Sequence, residues 1–220
     1  MIHFHIVTLF PESIEPYLAA SILGRAQEKG KIKVSFYNPR DYMPSRKDRV
    51  DRRPYGGGPG MVLAPEPCLK AVQAALQMSG FRKSRHEVIF FSPGGKQFDQ
   101  AMAKKLAKPA RLGGNKDIVL ICGHYEGVDA RVAKILKAKH ISVGPYVLTG
   151  GELPAATVID ATTRYIPGVL GKEESREDER VASSEVYTRP EVLKWRGKNY
   201  RVPKVLLSGN HAEILKWKTK

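Results

Sequence analysis

DIVLICGHYEGVDARVAKILKAKHISVGPYVLTGGELP, residues 117–154, carries the pattern on which the fold turns. The apolar, β-branched run 117–122 predicts a strand, the helical spacing of apolar residues over 127–138 a helix, and the run 140–148 a second strand. A strand, a helix and a strand in unbroken succession make a crossover unit with parallel strands. Each strand runs out into a glycine turn, CGHYEG and then VGPYVLTGGELP. Working outward, strands are expected at 2–9, 31–37 and 87–91, and helices at 13–29, 65–77, 97–107 and 152–165. The alternation gives an α/β domain with a mostly parallel sheet, whose ligands gather in the loops after the strands' carboxyl ends.

Two stretches interrupt the alternation. Residues 39–61, PRDYMPSRKDRVDRRPYGGGPGM, are basic and then glycine-rich, and too long for an ordinary connector. Residues 171–185, GKEESREDERVASSE, have no apolar periodicity and read as a charged, mobile linker. Beyond it, residues 188–220 hold nine Lys or Arg against two Glu. Thr188 with Glu191, and Asn210 with Glu213, have capping-box spacing, which predicts two short helices there.

The 220 residues are 42% hydrophobic, enough for a real core, and carry 37 basic against 22 acidic side chains. A net charge of +15 points to a polyanionic partner, nucleic acid first. Cys68 and Cys122 stand far apart without a CxxC pair, so a disulfide framework and a zinc ribbon are both unsupported and a reducing compartment fits. No apolar run is long enough to span a bilayer and the start lacks a basic signal region, so a soluble, cytoplasmic protein is expected. A Rossmann GxGxxG is missing, and GGKQ at 94–97 lacks the spacing and hydroxyl of a phosphate-binding Walker loop. His3 and His5 share one strand face, but without a third ligand no metal site is assigned.

Three glycine loops at strand ends remain: SPGGK, CGHYEGVD and SVGPYVLTGGELP. Glycine lets backbone N–H and C=O groups approach a ligand closely, and such groups can recognise a planar base edge without side chains. With Tyr125 and Glu126 between them, the loops predict a small-molecule pocket.

VDRRPYGGGPGM, CGHYEGVDARV, GPYVLTGGELPA, RYIPGVLG, YTRPEV and VLLSGNHAEI together closely resemble the bacterial tRNA (guanine-N1)-methyltransferases of the knotted SPOUT class. The resemblance covers nearly the whole chain. It implies a SPOUT domain over 1–167 with a deep trefoil knot in the fourth and fifth strand regions, an interdomain linker over 168–186, and a small basic helical RNA-binding region over 187–220. It also implies a homodimer with active sites at the subunit interface, and methylation of N1 of guanine 37, beside the anticodon, with S-adenosylmethionine as donor. Carried over motif by motif, the cofactor pocket comprises Phe91, Ser92, Pro93 and Gly95, then Gly123, Tyr125 and Glu126, then Val143, Gly144, Tyr146 and Leu148, and finally Gly150, Gly151 and Pro154.

Guanine N1 is protonated at neutral pH, so its lone pair becomes available only as the proton leaves and negative charge moves to O6. The resemblance assigns the base to Asp178, with Glu177 as the neighbouring alternative, and turns Arg164 toward O6. A guanidinium there stabilises developing charge more than the ground state. A carboxylate with a pKa of about 3.9 is a weak base for this proton unless desolvated, and ordering of the linker over the guanine would supply that. RNA contacts are implied for Lys47, Asp51, Pro59 and Ser175 and for the basic C-terminal region. Asp51 is the candidate base reader, with an intraloop salt bridge as the competing role. For Mg²⁺, which could assist proton removal, no ligand cluster fixes a site. Lys47, Arg52 and His124 depart from residues common in relatives, and the chain stops soon after SGNHAEILKWK, so weaker RNA affinity, or compensation by Lys204, Lys216, Lys218 and Lys220, is expected. Methylation of another RNA site, and a noncatalytic RNA-binding protein on the same scaffold, stand as alternatives.

Overall fold

β1 (Ile2–Val7) and β6 (Lys116–Ile121) are buried at every position, as strands must be when helices cover both faces of a parallel sheet. The computed structural model, which describes residues 1–45, 47–78, 86–109, 115–170 and 185–219, places them side by side in a five-stranded sheet. Its order is β2-β1-β6-β5-β7, with β2 at Ile32–Tyr37, β5 at His86–Gln97 and β7 at Lys139–Ser142. Every pairing within it is parallel. Alternate residues supply two cores. Ile2, Phe4, Ile6, Ile118 and Leu120 pack with α6 (Glu152–Thr163) on one face. Val7, Val119 and Ile121 pack with α3 (Pro65–Met78) and α5 (Ala130–Leu136) on the other.

The helix expected over 13–29 is two helices, α1 (Glu15–Leu18) and α2 (Ser21–Glu28). On a continuous helix Leu18 and Leu23 would point about 140° apart; the break at Ala20, extended at ψ 161°, lets both enter one core. Gly24 makes the close turn possible, because a Cβ there would lie 2.2 Å from the Ala19 carbonyl oxygen. The strand expected over 87–91 runs on to Gln97, since Ile141 of β7 pairs with both Phe91 and Lys96. Residues 92–95 are therefore a bulge between two pairings with the same residue of β7. The strand expected over 140–148 stops at Ser142, whose Oγ donates to the Gly144 carbonyl at 2.8 Å and turns the chain before Pro145. α4 (Gln100–Ala107) begins three residues later than expected, where the Asp99 side chain accepts from Met102 N at 2.7 Å.

After β7, which lies beyond β5 from β6, the chain returns to the end of β6: Gly151 N donates to the Gly123 carbonyl at 2.9 Å. From there it enters α6, which packs against α2 and α4. The long excursion over 39–61 leads through the short antiparallel pair β3 (Asp51–Arg52) and β4 (Val62–Leu63). It docks on the loop after β6, with Leu63 N donating to Gly127 O and Asp129 N to Leu63 O. Among the described residues, no helix is long and apolar enough to cross a membrane.

The chain divides into two compact units, Met1–Val169 and Leu170–Lys220. In the second, the helix expected from Thr188 is absent. Val192–Trp195 (β8) and Lys198–Arg201 (β9) form an antiparallel hairpin instead. Arg196 and Gly197 at φ 48° and 75° make the two-residue turn that matches strand twist. A short helix α7 (Lys204–Leu207) follows. The last helix, α8 (His211–Lys218), starts where Asn210 predicted it, with the Asn210 side chain accepting from Glu213 N.

Candidate active site

The carboxyl ends of β5, β6 and β7 open into a single cavity of about 830 Å³. The bulge after Phe91 contributes Ser92 and Pro93; the loop after β6 contributes Gly123, Tyr125 and Glu126; the turn after β7 contributes Val143, Gly144, Tyr146 and Leu148; and the entry to α6 adds Gly150, Gly151 and Pro154. Thirteen of the fourteen residues nominated for the cofactor thus line one space. The exception is Gly95. It lies at the inner end of the bulge, so close to β7 that a Cβ would lie 2.6 Å from Ile141 N.

The loops hold their shape through backbone approach. A Cβ on Gly151 would stand 2.5 Å from the Cα of Cys122, and one on Gly144 would stand 2.1 Å from the Tyr146 ring, whose hydroxyl donates to the Val143 carbonyl. Tyr125 sits in the left-handed region at φ 59°, where a residue with a Cβ is strained. Beneath the loops Glu152 is buried and accepts from Thr8 Oγ1 at 2.6 Å. Glu152 Oε2 also lies 3.8 Å from Nδ1 of His124, whose ring packs between Phe10 and Tyr125. That nitrogen is buried without a hydrogen-bond partner among the described residues. Cys122, sealed under the same loops, has its thiol pushed well above the usual range by burial and then by the Glu152 charge, so it is no nucleophile.

Sequence reasoning missed the far wall. Ala133, Lys134, Lys137 and Ala138 line the cavity from α5 and the turn after it, and His140 from β7. Helix-face residues carry no loop signature. Glycine backbone, apolar side chains and a few charges line a volume within the range of small-molecule sites.

These loops and their order match a known sequence pattern along the whole chain. The family model described as tRNA (Guanine-1)-methyltransferase TrmD matches residues 2–220. The chain belongs to this family. A tRNA (guanine-N(1)-)-methyltransferase of Clostridioides difficile is 43% identical over 219 residues, 98% of this chain and 90% of the relative. Proteins of the same name from Caldanaerobacter subterraneus and Moorella thermoacetica are 47% and 46% identical, over 84% and 82% of their own lengths.

The other residues nominated by resemblance to the family lie apart from the cavity wall or outside the described residues. Arg164 is half-buried at the C-terminal end of α6, about 15 Å along the helix from the cavity-lining Pro154. Asp178 and Ser175 lie outside the described residues. Lys47 and Pro59 are exposed. Asp51 is buried in β3 and accepts from Arg49 Nε at 3.1 Å, so the intraloop salt bridge is formed. The glycine-rich end of that loop reaches the cavity rim: Glu126 N donates to the Met61 carbonyl, and a Cβ on Gly60 would lie 2.4 Å from Glu126 Oε1.

Proposed function

We propose that the protein methylates N1 of guanine 37 in tRNA, using S-adenosylmethionine held in the loops after β5, β6 and β7. The observation that carries this reading is the convergence of thirteen nominated residues on one cavity in a chain that belongs to this family. The donor, when bound, supplies a methyl carbon on a sulfonium, an already activated leaving group. The chain's own work is then on the acceptor. Asp178 takes the N1 proton, and Arg164 faces O6, where its charge stabilises the developing oxyanion. Glycine amides and carbonyls recognise the adenine edge, and Glu126 joins the donor pocket to the basic loop that meets RNA.

The same reading takes the return of the chain from β7 to the end of β6, and its passage into α6, as a trefoil knot. It also makes the active unit a homodimer. Two features support this. Arg164 stands at the far end of α6 from its own cavity, and Leu153, Thr157, Asp160 and Arg164 share one helical stripe. Leu153 on that stripe is exposed, and the cavity-rim residues Tyr146 and Val147, which precede the helix, are exposed too. A partner covering that surface would bring one protomer's Arg164 and Asp178 to the other's pocket. The anticodon arm, with guanosine at 36 and 37, is the acceptor, gripped by the basic loop and the C-terminal unit.

Incubation with labelled S-adenosylmethionine and such a tRNA should yield N1-methylguanosine at position 37. No product, or a ribose 2′-O-methyl product, overturns the assignment. Asp178→Asn should retain donor binding by calorimetry while turnover falls about 100-fold or more; full activity moves the base elsewhere. Sedimentation should give twice the 24.5 kDa chain mass.

A further inference from the structure

β1 presents His3 and His5 on the face that α3 covers, and the sequence near them offers no third ligand. The tertiary structure supplies one. Parallel register sets Asp117 of β6 opposite His3, at the amino-terminal ends of the strands and away from the methyl-transfer cavity at their carboxyl ends. All three side chains are buried. One nitrogen of each imidazole is engaged by a hydroxyl from β2: His3 Nε2 with Ser35 Oγ at 2.8 Å, and His5 Nδ1 with Tyr37 Oη at 3.0 Å. The other nitrogens turn to a common atom, His5 Nε2 at 3.1 Å and His3 Nδ1 at 3.9 Å from Asp117 Oδ1. Ligand atoms of all three residues lie within 4.8 Å of one another.

We propose that His3 Nδ1, His5 Nε2 and Asp117 Oδ1 form a binding site for a divalent transition metal of the zinc class. A tetrahedral ion with bonds of about 2.0–2.1 Å holds its ligand atoms roughly 3.3 Å apart, and the two nitrogen–oxygen distances bracket that value. Two imidazoles with a single carboxylate favour zinc over calcium or magnesium, which take oxygen ligands. The β2 hydroxyls are the outer partners such a site needs. With protons on His3 Nε2 and His5 Nδ1 donated to Ser35 and Tyr37, both remaining lone pairs face the ion. Lys33 acts against a cation here, and the Asp117 carboxylate offsets it. The ion would tie β1 to β6 directly and to β2 through the hydroxyls, leaving a fourth position for water.

The tag-free full chain, stripped with chelator, is titrated with Co²⁺ and then Zn²⁺. The expected result is the intense visible absorption of tetrahedral cobalt, saturating at one equivalent and abolished by Zn²⁺, with a higher melting temperature in Zn²⁺. His3→Gln and Asp117→Asn should each weaken binding at least tenfold, and the exposed-site control His211→Gln should not. If either ligand variant fails to fold, Ser35→Ala keeps all three ligands and should still weaken Co²⁺ binding about tenfold. A pale octahedral spectrum, or affinity that survives in a folded His3→Gln or in Ser35→Ala, overturns the site.

Discussion

At the scale of single residues, the floor of the cavity depends on a buried hydrogen bond. Glu152 accepts from the hydroxyl of Thr8, the residue after β1, and lies against Gly150, where a Cβ would stand 2.2 Å from its Oε2. Thr8→Val keeps the shape and removes the donor, so the buried carboxyl group loses a partner and stability should fall by about 1–3 kcal/mol. Urea denaturation measures this, and Thr8→Ser should restore most of it. A second effect sits in the histidine pair. Burial, then the neighbouring His5 and Lys33, holds the His3 imidazole down at about 3, against 6.5 for an ordinary imidazole. Between those values the unfolded chain binds a proton that the folded chain refuses. The contribution is therefore complete above pH 6.5 and declines as pH falls toward 3. With both proteins metal-free, the urea midpoint should drop between pH 7 and pH 4.5, and His3→Gln should show a shallower drop.

At the scale of elements, two adjacent glycines in the β5 bulge have opposite fates. A Cβ on Gly94 meets nothing within 4 Å, whereas one on Gly95 meets the backbone of His140 and Ile141 at 2.6–2.7 Å. Gly94→Ala should leave the melting temperature nearly unchanged. Gly95→Ala forces β7 away from β5 and should cost about 1–3 kcal/mol, as overpacking against backbone does. Donor affinity by calorimetry should fall with it, because Phe91 and Val143, on either side of that junction, both line the cavity. The C-terminal hairpin gives a contrasting case. The capping-box spacing at Thr188 predicted a helix over this segment, but Arg196 and Gly197 both take positive φ and close a two-residue turn between paired strands.

At the scale of the whole molecule, the net charge of +15 sets how it meets RNA. With roughly five phosphates neutralised, tRNA affinity should weaken about a hundredfold between 50 and 200 mM KCl, linearly on a double-logarithmic plot. Filter binding across that range checks it; an affinity indifferent to salt would mean that the basic loop and C-terminal unit do not meet phosphates.

The sequence by itself determined the strand-and-helix alternation, the parallel sheet and the three glycine loops, because periodicity and turn chemistry are local properties of the chain. It also carried the family, since six ordered motifs survive as a linear pattern. Tertiary structure decided what depends on register and crossing. It packed Gly95 against the backbone of β7, added Lys134 from α5 and Lys137 from the turn after it, and engaged Asp51 with Arg49. It also brought Asp117, more than a hundred residues away in sequence, beside His3 and His5. No local pattern encodes which strands become neighbours. That choice belongs to the burial of two helix-covered faces at once, and the third ligand beside the histidines follows from it.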